Sequence, residues 1–289
     1  MLSSSFRLHP SPFLFQGDTL LGKTLTAVIT LFWMAMMALL VRREVLPAYL
    51  AEREAARAPN YAYLEALAAK PRVQQMGIYI GGARIGQTVS RMAKADDELR
   101  LTNRTDLELN SIAAQLLMMG GGVHFSFKFD ATVAEGRLAG FRMEVFSPSQ
   151  SGPLAIVDGV SAEEKLKLKI RQGDRVENMS VPFDSRQVLS GLFAPTSLPA
   201  KLRVGESWPV NTLGLGSYGI QSGTATVLRT DRIKSEGVWQ EAFVIGIKYG
   251  TYEATVWANA EGEVLQQKFL GFTLVREKPS AEAERGEKP

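Results

Sequence analysis

The chain has 289 residues, 45% apolar and 22% charged, with a formal charge of +3, no cysteine and two histidines. So even a charge balance excludes the basic footprint of a nucleic-acid binder. The missing thiols exclude disulfides, thiolate metal sites and cysteine nucleophiles.

Residues 1–19 read as a flexible leading segment whose Phe6, Phe13 and Phe15 suit a membrane surface. Residues 20–43 are more informative. Between Thr24 and Val41 no side chain is charged (TLTAVITLFWMAMMALLV). As a helix this run reaches about 27 Å, close to the roughly 30 Å hydrocarbon core of a bilayer. Lys23, Arg42 and Arg43 flank it where long side chains snorkel, and Trp33 lies within it. A cleaved signal peptide would need a shorter start and small residues after Leu40, which Val41-Arg42-Arg43 does not supply. The expectation is one uncleaved membrane helix. Thr26, Ala27, Thr30, Ala35 and Ala38 are small enough for close contact with a partner helix. Arg7 and Lys23 precede the helix, and Arg42, Arg43, Arg53 and Arg57 follow it, a bias that by itself places the C-terminal part in the cytoplasm.

Residues 44–71 form a stalk of good helix formers interrupted by Pro59, predicting short helices over 48–57 and 61–69. From 72 to 277 the apolar period switches to two. Residues 123–133 alternate without error, placing Phe125, Phe127 and Phe129 on one face and His124, Ser126, Lys128 and Asp130 on the other. Leu99, Leu101 and Leu107 repeat the pattern, as do Leu166, Leu168 and Ile170 between Lys165, Lys167 and Lys169. Gly81-Gly82, Glu135-Gly136, Gly173-Asp174, Glu236-Gly237 and Glu261-Gly262 punctuate the runs as hairpin turns. Two stretches read as helices instead, 110–119 before three glycines and 185–193 before Pro195. The fold class is therefore mainly β: a transmembrane helix, then a curved antiparallel sheet of about 10–11 strands forming a half-barrel or β-clam with two short helices. Residues 278–289 contain no apolar residue larger than alanine and predict a disordered tail.

Residues 76–87 (MGIYIGGARIGQ) resemble the opening of bacterial envelope domains in which a strand ending at glycines precedes an x-Ile-Gly strand. Residues 256–265 (VWANAEGEVL) resemble their final hairpin, with Leu270-Gly271-Phe272 leading into the last strand. Such domains accompany some transglutaminase-like proteins, and their architecture is similar to the half-barrel of the lipoprotein-localisation carriers. The resemblance implies a single-pass protein of the bacterial inner membrane with a short cytoplasmic N-terminus and a periplasmic β-domain, against the local charge bias.

No motif names a reaction. Residues 214–219 match G-x-G-x-x-G, but a strand pattern follows where the dinucleotide fingerprint requires a helix. His124 stands without the ligands of a metal site or the partners of a triad, and neither cofactor nor metal is implied. Two classes of function survive. One is a non-enzymatic binding or scaffold module whose apolar groove takes a lipid or acyl ligand or an envelope-protein partner. Its candidate residues are Phe125, Phe127, Phe129, Leu166, Leu168, Phe243 and Ile245, with Met118 and Met119 as an adaptable lid; the same side chains equally suit a filled core. The other class is a hydrolase or transferase using His124 with Asp130 or Asp158. A third reading makes the chain an accessory subunit of a membrane complex, docked through its helix.

Overall fold

The computed structural model describes residues 20–45, 58–95, 97–109, 123–147, 151–190, 193–194, 197–199, 201–213, 220–250, 252–281 and 283. The chain divides into two compact units, 1–53 and 54–289.

In the first unit, helix α1 (Leu20–Leu40) passes into one π turn (Val41–Val45) that carries Arg42 and Arg43. Leucine, alanine and methionine favour the helix. From Val28 to Val41 its large apolar side chains are exposed, Phe32 at 67% and Trp33 at 62%. Among the described residues no helix is long and apolar enough to cross a membrane.

The second unit holds a short helix α2 (Tyr61–Leu67) and fifteen strands. In chain order these are β1 (Arg72–Ile80), β2 (Ala83–Ala95), β3 (Glu98–Leu109), β4 (Val123–Ala134), β5 (Arg137–Phe146), β6 (Pro153–Ala162), β7 (Lys165–Gln172) and β8 (Arg175–Pro182). Then follow β9 (Leu189–Ser190), β10 (Ser207–Leu213), β11 (Ile220–Ser235), β12 (Val238–Tyr249), β13 (Tyr252–Ala258), β14 (Val264–Phe269) and β15 (Phe272–Glu277). All lie in one open sheet, ordered β8 down to β1, then β15 down to β9. Two meanders are thus stitched together in the middle by β1 and β15, with Met76 opposite Arg276 and Ile78 opposite Leu274.

The edge strands β8 and β9 are neighbours in sequence. Only residues 183–188 join them, a link that at about 3.5 Å per residue spans about 25 Å at most. A fifteen-stranded sheet with strands about 4.8 Å apart would hold its edges far wider if flat, so it must curl until they approach. α2 sits beside that link. Asn60 caps it, accepting from Tyr63 N at 2.8 Å, and also bridges Gln187. Tyr61 N donates to the Arg186 carbonyl at 3.1 Å, and Leu189 N donates to the Tyr61 hydroxyl at 3.1 Å.

The inner face carries two apolar clusters. One gathers Met76, Ile78, Trp208, Ile245, Val256 and Leu274, chiefly from the β10–β15 half and β1. The other gathers Tyr61, Leu64, Leu99, Phe129, Leu166 and Leu168, from α2 and the β3–β8 half.

Three expectations change. The sheet has fifteen strands rather than 10–11. The helix expected over 185–193 does not form across its described residues: 185–187 turn and bridge, and Leu189–Ser190 becomes β9, pairing parallel with β10. A sheet edge there needed backbone partners, and that demand outweighed local helix propensity. The sheet is accordingly antiparallel except at this one described pairing. Residues 110–122, with Met118 and Met119, and the stretches 48–57 and 214–219 lie outside what is described, apart from no more than their flanks. The tail expected to be loose from Lys278 is held at its start. Ser280 N donates to Gln75 Oε1 at 2.8 Å, and Arg91 donates to the Ala283 carbonyl through Nε at 3.1 Å and Nη2 at 2.7 Å.

Candidate functional site: a cavity between α2 and the sheet

A cavity of about 440 Å³ lies between α2 and the inner face of β1–β3. This is within the range of small-molecule sites, about 300–1,000 Å³. Tyr63, Leu64 and Leu67 form its helical wall, because residues three and four apart share one face of a helix. Met92, Leu101 and Phe129 form the sheet wall, and Met92 and Leu101 are opposed in register. Val188 and Leu189 close it from the edge link, and Leu198 from the segment after β9.

Its polar end is built where β1 begins, β15 ends and β13 turns into β14. Arg72, Gln74, Glu261, Glu263 and Arg276 line it there. Arg276 is doubly paired: Nη1 donates to Glu263 Oε2 at 2.7 Å and Nε lies 3.2 Å from Glu236 Oε1. Asn259 Nδ2 also donates to Glu263 Oε2, at 3.0 Å. Burial by itself would raise the Glu263 carboxyl, but the bonds and charges of Arg276, Asn259 and Arg72 outweigh it and hold it below its usual range. Partial burial raises the Tyr63 phenol against the opposing charge of Arg72.

Between the two apolar clusters the inner wall turns polar. Asn103 Nδ2 donates to Thr88 Oγ1 and to Ser90 Oγ, each at 2.8 Å. Thr105 Oγ1 bonds Thr88 Oγ1 at 2.8 Å and Asn103 Oδ1 at 3.2 Å. Ser90 and Asn103 reach the cavity. A second cavity, of about 430 Å³, lies against Asn60, Lys201, Arg203 and Trp208, and is more polar.

No protein-family model matches the chain, and no curated protein matches it. Among solved structures, a beta-barrel-like protein of domain of unknown function DUF1849 from Brucella abortus is similar at 7% identity and a TM-score of 0.45, over 72% of this chain and 94% of its own. At that TM-score the likeness carries neither ligand nor activity.

The residues nominated from sequence fall in different places. Phe129 lines the cavity. Leu166 and Leu168 are buried in the same cluster as Phe129, whereas Ile245 is buried in the other, with Phe125, Phe127 and Phe243 packed against it. Phe193 stacks on Phe127, Phe269 and Phe272 at centroid distances of 5.4–5.7 Å, so that part of the interior is filled. His124 is exposed at the start of β4, opposite Glu108. Asp130 lies six residues further along the same strand, about 20 Å at 3.3 Å per residue, and Asp158 is bonded to Arg142 and Arg171. The constellation needed for acid–base catalysis at His124 is not assembled among these groups.

The polar members of the cavity were missed. Ser90, Asn103 and Arg72 interrupt the apolar alternation, and an interruption reads as a surface position until the partner strands are known. The parity of β3, in which Leu99, Leu101, Asn103, Thr105 and Leu107 share one face, is the signal that finds Asn103.

Proposed function

We propose that the chain is a membrane-tethered, non-enzymatic binding module of the bacterial envelope whose β-clam takes an apolar or acyl ligand in the cavity between α2 and the sheet. The cavity carries this reading. It is large enough for a small ligand, walled by Leu64, Leu67, Met92, Leu101 and Phe129, and furnished with a few convergent polar groups at one end. The uncharged run ending at Val41 and the exposed apolar side chains of α1 support the tether, since a contiguous apolar surface of that kind calls for lipid or a partner. The resemblance to envelope domains supports a periplasmic position, and the association with transglutaminase-like proteins belongs to the same reading.

The test is ligand binding by the full-length protein in lipid nanodiscs, with laurate as probe. Saturable binding that Leu101→Trp abolishes, with the circular dichroism of the β-domain unchanged, is the expected result. Wild-type protein that takes up no probe would sink the binding reading. Protease added to intact spheroplasts should digest the β-domain, and protection until the membrane is broken would reverse the sidedness. The exposed face of α1, with Ala35 and Ala38 among larger residues, also supports an accessory subunit docked in a membrane complex; cross-linking from Ala35 to another membrane protein would favour it.

A further inference from the structure

We infer that the occupant of this cavity is a single-chain amphiphile with an anionic head, its tail between α2 and the sheet and its head on Arg72. This rests on the binding reading above and adds the chemistry of the head group.

Three arginines line the cavity, and they differ in state: Arg91 donates to the Ala283 carbonyl. The charge of Arg276 is spent on Glu263 and Glu236. Arg72, on the inner face of β1 opposite Met92, has no hydrogen bond or ion pair among the described residues. It is nevertheless near enough for its charge to act on both Tyr63 and Glu263. An unpaired guanidinium beside an apolar cavity presents the planar fork that a carboxylate or phosphate fills with two parallel bonds.

The neighbouring polar groups favour the same sign. Asn103 Nδ2 is used on Thr88 and Ser90, and its Oδ1 accepts from Thr105. Ser90 Oγ accepts from Asn103 and keeps its own proton to donate. Gln74 Nε2 donates to the Val264 carbonyl. Of the two carboxylates at this end, Glu263 is held by Arg276 and Asn259, and Glu261 is exposed. Arg72 and the Ser90 hydroxyl are thus donors available to a head group at this end, beside the apolar walls of α2 and the sheet. An anionic head can accept from Arg72, which a cationic head cannot do.

The experiment compares laurate, dodecyl phosphate and methyl laurate on the full-length protein in nanodiscs, with inorganic phosphate as competitor. Laurate and dodecyl phosphate should bind about tenfold or more tighter than the ester, the scale of a hydrogen bond to a charged group. Arg72→Gln should erase that preference, and Arg72→Lys should restore part of it. Because Arg72 is exposed, neither variant threatens the fold. Equal binding of acid and ester, or a preference that survives Arg72→Gln, would overturn the head-group assignment while leaving the cavity reading intact. Inorganic phosphate displacing dodecyl phosphate at equal concentration would overturn it too, by showing that the tail contributes nothing. Binding of none of the amphiphiles would instead sink the cavity reading itself.

Discussion

Asn103 sits on the inner face of β3 where alternation alone would place another apolar side chain. It is buried, and its three hydroxyl partners on β2 and β3 satisfy it. Asn103→Ala leaves those hydroxyls short of partners in a low-dielectric interior, which costs about 1–3 kcal/mol; urea unfolding should show a lower midpoint at unchanged slope. Glu164 is the opposite case, an exposed residue at odds with its own backbone. The two-residue loops after β1, β4, β11 and β14 place glycine at their second position, at φ between 68° and 86°, whereas the loop after β6 has Glu163 at 51° and Glu164 at 58°. Type I′ geometry requires positive φ at both positions and favours glycine. Glu164→Gly should therefore stabilise the domain by about 1 kcal/mol in the same assay. Tyr249 sets an alkaline limit. Burial pushes its phenol from 10.0 up to about 12. Between those values the unfolded chain releases a proton that the folded one keeps, so stability is full below about pH 10 and falls as pH rises toward 12. Unfolding curves taken across that range should be flatter for Tyr249→Phe.

The elements divide by how far their partners lie along the chain. The strands bounded by clear turns, β4 and β7 among them, were legible because their alternation is local. α2 was legible from the good helix formers that follow Pro59, whereas its cap, Asn60, emerged only from the structure. β9 was not, since SRQVLSGLF satisfies a helical period and only the distant β10 makes it a strand. The strand total was too low for a related reason: the long strand β11 carries a register shift between Val227 and Arg229, which breaks a period of two. The cavity was legible only in part, because its lining comes from a helix, from strands of both meanders and from the edge link, which no local pattern joins. α2 holds those walls together. Asn60→Ala removes the cap that receives Tyr63 N–H, at a cost of about 1 kcal/mol. Amide exchange should rise in α2 and at Leu189, whose N–H is bonded to Tyr61, while β3 and β4 stay protected. Uniform acceleration across the sheet would show that α2 is integral to the whole β-domain rather than a separable plug.

At the scale of the β-domain, the decisive pairing joins its first and last strands. β1 and β15 lie side by side in the middle of the sheet, roughly two hundred residues apart in sequence, and each apolar cluster belongs mainly to one of the halves they connect. Without β15, both β1 and β14 would expose unpaired edges, and Leu274 and Phe272 would leave the core. The edge link and α2 cannot replace that seam, because they close the sheet at its other side. A chain ended at Gly271 should therefore lose its cooperative unfolding transition and aggregate. A chain ended at Ala283 keeps both the seam and the contacts of Ser280 and Ala283 on the outer face, and should unfold as the full-length protein does. A chain ended at Lys278 separates the two contributions: it retains β15 but loses the bonds from Ser280 to Gln75 and from Arg91 to Ala283, so a modest loss of stability with cooperativity intact is expected. Loss of cooperativity in that last chain would mean that the outer clamp, rather than the β1–β15 ladder, holds the two halves together.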